Sequence, residues 1–299
     1  MTIPVSRRQV LLSMAAAASL RGENVSRFRL GITTDEIDDD LTVACQFLRR
    51  FGLEYAEIRN LWGKYNTAQP VEMAHKARGI LDEYRVRLAI LDTGFFKVPL
   101  PAEGPEGNRK IDEQFAVLEA AKERAKILGT DKIRIFAFTF KGEKTPHAEP
   151  RIAELLREAA RRARGYRLAI ENVGNSYMWS GADAARILKT VPESNIALTW
   201  DPNNAAETGE QSFPNGYKLL DPARIVHVHL RDYKRLPGGK TEWCGVGQGE
   251  FDHVGQLRAL LAAGYKETMS LETHFKIDGS KTKASEFSIQ GLLERMAKV

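Results

Sequence analysis

From Phe28 onward the sequence alternates short aliphatic or β-branched runs with longer segments whose apolar residues recur every three or four positions. Such alternation predicts βα units, because parallel strands need a crossover that a helix supplies. The strand candidates are residues 29–32, 55–58, 87–91, 132–136, 167–171, 196–200, 225–230 and 268–272. Eight is the number that closes a parallel barrel. The predicted fold class is α/β, a single-domain (β/α)8 TIM barrel over residues 28–299.

Local signals agree with that reading. Val43, Phe47, Leu48 and Phe51 share helical spacing, as do Leu155, Leu156, Ala159 and Ala160. Asp38 to Asp40 can cap the first helix, and Gly52 and Gly129 stand where a helix end favours a left-handed residue. Residues 108–128 read as one long helix and 283–297 as the closing one. An open doubly wound sheet would show a glycine-rich phosphate turn after its first strand, where this chain reads TTDEIDD. The later Gly245-Val-Gly247-Gln-Gly249 run has no predicted strand directly before it and reads as a loop.

Composition narrows the partners. The net charge of +5 includes Arg7 and Arg8, and no basic cluster interleaved with aromatics suggests nucleic acid. No apolar run reaches the roughly 18 residues that a membrane-spanning helix needs, so no stable membrane insertion is expected. Cys45 and Cys244 lack C-x-x-C spacing and read as ordinary thiols. Residues 5–20, VSRRQVLLSMAAAASL, have the order of an export signal, and the arginine pair is similar to a twin-arginine signal. Residues 1–20 are therefore expected to direct export to the periplasm; if the signal is not used, the protein stays cytoplasmic.

In parallel barrels the residues at the carboxyl ends of strands face the active-site mouth. That rule selects Glu171 at the end of LAIE, Asp201 after IALTW, His229 in VHVHL and Glu272 at the end of MSLE. Three ionised carboxylates so close would raise each other's pKa values, and a divalent cation removes the conflict. Oxygen-rich ligation with one His favours Mn²⁺ or Mg²⁺, with Co²⁺ or Zn²⁺ open. His227 shares a strand face with His229 by period-two alternation, but His229 lies nearer the mouth and is the preferred ligand.

The motifs LAIENVGN, WDPNNA, HVHLRDYKR and SLETHF, with GVGQGEFD before the penultimate helix, resemble those of the xylose-isomerase-like barrel superfamily over nearly all of residues 28–299. The resemblance implies one divalent metal chelated by adjacent carbonyl and hydroxyl oxygens of a small sugar or polyol, with Glu171 and Glu272 as proton-transfer residues. A cation on the carbonyl stabilises an enediolate, and two carboxylates on opposite sides can remove and return a proton from different faces. The expected enzyme is thus a metal-dependent sugar isomerase or epimerase. Arg235 sits where ketose epimerases of the superfamily carry a substrate-contacting Arg, and Asn204 where they have a His. Asn204, His227 and Arg235 are the substrate-binding candidates.

Glu57, Arg59, Asp92, Arg134 and Lys141 are further candidates for the mouth, with salt bridges between barrel layers as the alternative for Glu57 and Arg134. Trp62, Phe95, Phe96, Phe138 and Trp179 are either a sugar-stacking wall or packing. A keto-sugar or dehydroshikimate-type lyase can use the same metal and proton abstraction. An endonuclease IV-like hydrolase would need extra histidines on earlier strands, and a non-catalytic carbohydrate-binding barrel would tolerate loss of a ligand. Oligomeric state, including a homo-oligomer, is left open.

Overall fold

The computed structural model describes residues 27–145 and 147–299. The export-signal reading of residues 1–20 lies outside the described residues. Eight parallel strands close a barrel: β1 (Arg29–Thr33), β2 (Tyr55–Ile58), β3 (Arg87–Asp92), β4 (Lys132–Ile135), β5 (Arg167–Glu171), β6 (Ile196–Trp200), β7 (Ile225–Leu230) and β8 (Thr268–Leu271). Each pairs with its neighbours in sequence, and β8 closes on β1. The helices are α1 (Leu41–Arg50), α2 (Val71–Glu83), α3 (Pro105–Leu128), α4 (Glu149–Arg162), α5 (Gly181–Thr190), the short α6 (Pro202–Ala206), α7 (His253–Ala262) and α8 (Lys281–Met296). Single-domain (β/α)8 architecture is what the alternation predicts.

Chain chemistry explains the boundaries. Asp40 caps α1 by accepting from the Thr42 backbone N–H at 2.8 Å, and the buried face is Leu41, Ala44, Cys45, Phe47 and Leu48. Val43, expected on that face, points outward and is 39% exposed, because the buried stripe runs through Leu41, Ala44, Cys45 and Leu48 at three- and four-residue spacing, and Val43 falls two residues from Leu41, on the other side of the helix. The long helix begins at Pro105 rather than residue 108, since proline at the first turn forfeits no helical hydrogen bond. Gly129 ends it in the left-handed conformation at φ 80°.

Between β7 and α7 the sequence reading needs correction. Asp232–Arg235 and Thr241–Cys244 form an antiparallel hairpin, so a strand does directly precede Gly245. The glycine run is nonetheless a loop, and it wraps a buried carboxylate: Asp232 accepts from the backbone N–H groups of Gly247, Gly249 and Phe251 at 2.8, 3.1 and 3.2 Å. A Cβ on Gly249 would lie 2.4 Å from the Tyr233 carbonyl oxygen, so the loop needs glycine there.

Packing also decides the aromatic candidates. Phe95, Phe96 and Phe138 are fully buried, with Phe96 stacked on Phe95 at 3.8 Å and on Phe138 at 4.1 Å. They form core between the barrel and α3 rather than a wall for sugar. Burial pushes the Cys45 thiol up to about 12, consistent with an unreactive core residue.

Candidate metal centre

Glu171 ends β5, Asp201 follows β6, His229 lies near the end of β7 and Glu272 follows β8, all within the barrel mouth. One ligand atom from each lies within 4.8 Å of the others, and all four side chains are buried. His227 also points inward, one layer deeper, so the alternation reading of β7 holds in the geometry.

Each carboxylate turns one oxygen outward to a protein donor and the other inward to the centre. Glu171 Oε2 receives Arg134 at 2.9 Å, while Oε1 faces His229 Nδ1 at 3.2 Å. Asp201 Oδ1 caps α6 by accepting from the N–H groups of Asn203 and Asn204, both at 2.9 Å, while Oδ2 lies 3.8 Å from His229 Nδ1. Glu272 Oε1 takes Arg59 at 2.7 Å and His274 at 3.0 Å, while Oε2 lies 3.3 Å from the same nitrogen. Three oxygens and one imidazole nitrogen therefore converge, a donor set that suits a hard or borderline divalent cation.

The tautomer of His229 follows from a chain of hydrogen bonds. Lys132 Nζ donates to Thr268 Oγ1 at 2.8 Å, which leaves the Thr268 hydroxyl proton for His227 Nδ1, also at 2.8 Å. His227 then donates from Nε2 to Glu57 Oε2 at 3.0 Å, and His229 donates from Nε2 to Glu57 Oε1 at 2.8 Å. Nδ1 of His229 is the ring nitrogen turned to the carboxylates, and its lone pair becomes available there when its proton leaves. Glu57 thus stands behind His229 in the position from which a carboxylate fixes the tautomer and orientation of an imidazole.

The electrostatics describe a centre that needs a positive charge. Burial alone would raise the Glu171 carboxyl, but Arg134 and His229 outweigh it and hold it down to about 2. Glu272 is held well below the carboxylate range by His274, His229 and Arg231 against the same burial effect. Burial disfavours an imidazolium at His229, yet Glu57, Glu272 and Glu171 lift it well above the ordinary value. His227, deeper and with fewer carboxylates, is pushed down to about 4 by burial and stays neutral at pH 7. Asp92 is pushed well up by burial and by the nearby Glu57, against the pull of Arg134 at 3.2 Å.

The substrate-binding candidates divide. Asn204 lies at the centre, but its amide is committed: Nδ2 donates to the Asn172 carbonyl at 2.9 Å and Oδ1 accepts from Arg231 at 2.8 Å. His227 is a support beneath the centre. Arg235 is not brought to it; its guanidinium lies over the Tyr233 ring, and the residue lines a side cleft with Phe213, Glu250 and Phe251. Arg231 reaches the centre instead, bonding Asp201 Oδ2.

Sequence reasoning also gave no role to Asn172, whose amide accepts from the Asp201 N–H and donates to the Asp201 carbonyl, each at 2.8 Å. That pair fixes the Asp201 backbone, and only the adjacency of Asn172 to Glu171 in LAIEN hints at it. Among the described residues Lys97 brings an ammonium to the mouth with no ion pair, set 4.7 Å from the Phe136 ring centre.

No curated protein matches the sequence. Solved structures share the barrel. The IolI protein with a bound zinc atom superposes with TM-score 0.73 at 18% identity, covering 90% of this chain and 98% of that one. A D-allulose 3-epimerase from Methylomonas sp., in complex with D-allulose, gives 0.67 at 19% identity, covering 90% and 93%. A xylose isomerase-like TIM barrel protein from Mycobacterium smegmatis, in complex with magnesium, gives 0.66 at 15% identity, covering 91% and 96%. The family model described as xylose isomerase-like TIM barrel matches residues 45–293, and the chain belongs to that family.

Proposed function

We propose that this protein is a divalent-metal-dependent isomerase or epimerase of a sugar or keto-polyol. The observation that carries the reading is the convergence of the carboxylate oxygens: each of the three carboxylates has its outer oxygen on a protein donor and turns its inner oxygen toward His229 Nδ1. Glu171 Oε1, Asp201 Oδ2, His229 Nδ1 and Glu272 Oε2 would hold the ion. When bound, it polarises a substrate carbonyl and stabilises an enediolate. Zinc, magnesium and D-allulose in the similar structures support a divalent ion and a sugar ligand.

Glu171 and Glu272 are the proton-transfer groups. They stand at the ends of β5 and β8, with β6 and β7 between them, so a substrate over the centre meets one carboxylate from each side. Arg134 and Arg59 hold them ionised and in place, as bases must be. Removal by one and return by the other inverts a carbon; removal and return by a single group moves a carbonyl. Residues 1–20 would direct export.

The test is metal analysis of the purified protein, followed by solvent-deuterium incorporation into a panel of keto-sugars with wild type, Glu171→Gln and Glu272→Gln. Near-stoichiometric metal and deuterium uptake that each substitution abolishes is the expected result. A folded protein that takes up no divalent ion would overturn the reading. Dehydrated product in place of exchanged substrate would assign a lyase.

A further inference from the structure

The converging ligand atoms already have a protein cation among them. Arg231 directly follows β7; its Nη2 bonds Asp201 Oδ2, and its Nη1 lies 3.4 Å from Glu272 Oε2. These are two of the three carboxylate oxygens that face His229 Nδ1. Arg59 and Arg134 differ, because they hold the outer oxygens, Glu272 Oε1 and Glu171 Oε2. The Arg231 side chain is only 4% exposed. Its guanidinium carbon sits 4.3 Å from the Trp243 ring centre, Nη2 also reaches Asn204 Oδ1, and its backbone carbonyl lies 3.0 Å from His253 Nε2. A planar guanidinium so clamped is a built feature of the centre, not a solvated side chain.

We propose that Arg231 is a resident counter-cation that competes with the divalent ion for Asp201 Oδ2 and Glu272 Oε2. The inference rests on the metal reading above. Without the ion, three buried carboxylates face one imidazole, and the guanidinium offsets the charge that His229 leaves. With the ion, a guanidinium on the same two oxygens gives up charge-assisted hydrogen bonds and meets like charge. Arg231 thus keeps the metal-free barrel folded and weakens metal affinity. Trp243 and Asn204 are the supports that remain to it once the ion holds the carboxylates.

Calorimetric titration with Mn²⁺, and thermal melting of chelator-treated and Mn²⁺-loaded protein, test this on wild type, Arg231→Met and Arg231→Lys. Arg231→Met is expected to bind Mn²⁺ about tenfold more tightly than wild type, about 1.4 kcal/mol. Its chelated form should melt below chelated wild type, and Mn²⁺ should raise its melting temperature by more. Arg231→Lys, which keeps the charge and loses the two-pronged contact, should fall between. Affinity of Arg231→Met equal to or weaker than wild type overturns the inference while leaving the metal reading intact. Should that variant not fold without metal, Arg231→Lys decides: tighter binding than wild type supports competition, and equal or weaker binding overturns it. Failure of wild type itself to bind Mn²⁺ overturns the metal reading and this inference together.

Discussion

Glu57 holds His229 from behind: Glu57 Oε1 lies 2.8 Å from His229 Nε2, while Oε2 lies 3.0 Å from Nε2 of His227. One carboxylate from β2 therefore fixes two imidazoles on β7 across the fully buried barrel interior. In Glu57→Gln only one amide oxygen is left to accept from two N–H donors, and the charge behind the ligand is gone. Metal affinity should fall by about 10–100-fold, the usual cost of losing such a support. Competition with a calibrated chelator measures it, and unchanged affinity would show that Glu57 is only packing.

The titration of the centre predicts different pH responses with and without metal. His229 is raised in the metal-free fold, so its stabilising contribution is complete below its ordinary value of about 6.5 and is lost as pH rises through the folded value. Glu171 and Glu272 are depressed, so theirs is present above about 4.3 and is lost as pH falls through their folded values, about 2 for Glu171. Chelated protein should melt highest between roughly pH 4.5 and 6.5 and decline above neutrality. Mn²⁺ takes the place of the Nδ1 proton, which should abolish that decline and release about one proton per ion bound. Parallel melting profiles, or no proton release in buffers of different ionisation enthalpy, would count against the ligand set.

A third expectation concerns the loop beside the mouth. Asp232 is buried and accepts from the N–H groups of Gly247, Gly249 and Phe251 as well as from its neighbour Tyr233. Asp232→Ala leaves those donors without their acceptor, each at a cost of about 1–3 kcal/mol if it stays buried. The loop should instead open to water. Limited proteolysis should cut the variant within residues 236–252 while the barrel stays intact, and cleavage no faster than wild type would contradict the anchoring role.

The strand-end rule reached Glu171, Asp201, His229 and Glu272 because barrel topology turns linear order into convergence on one mouth. What it could not reach depends on side-chain direction within loops. Arg235 is a candidate on the family resemblance alone, yet the hairpin after β7 carries it outward onto Tyr233, and Arg231 turns inward. Glu57 and Arg134 were legible as candidates, but a sequence does not say that Glu57 spans two histidines or that Arg134 chooses Glu171 as well as Asp92. The phenylalanines failed as a stacking wall because Phe95, Phe96 and Phe138 satisfy one another and Phe115 in the core.

At the opposite end of the barrel Lys132 allows stability to be separated from chemistry. Its buried ammonium donates to Thr268 Oγ1 at 2.8 Å, Glu267 Oε2 at 3.0 Å and the Val226 carbonyl at 3.2 Å, tying β4 to β7 and β8. Lys132→Met fills similar volume but leaves the Val226 carbonyl without this donor. Glu267 keeps Arg167 at 2.7 Å and is a third exposed, so the charge left behind is not stranded. The expected loss is therefore about 1–3 kcal/mol, below the cost of breaking an isolated buried ion pair. Thr268 can still donate to His227, so the tautomers of both histidines survive and metal stoichiometry should not change. Denaturant unfolding and metal analysis of the same preparation check both halves: a stable variant would show that the ammonium contributes nothing to closure, and a metal-deficient one would show that the hydrogen-bond chain to His229 begins at Lys132.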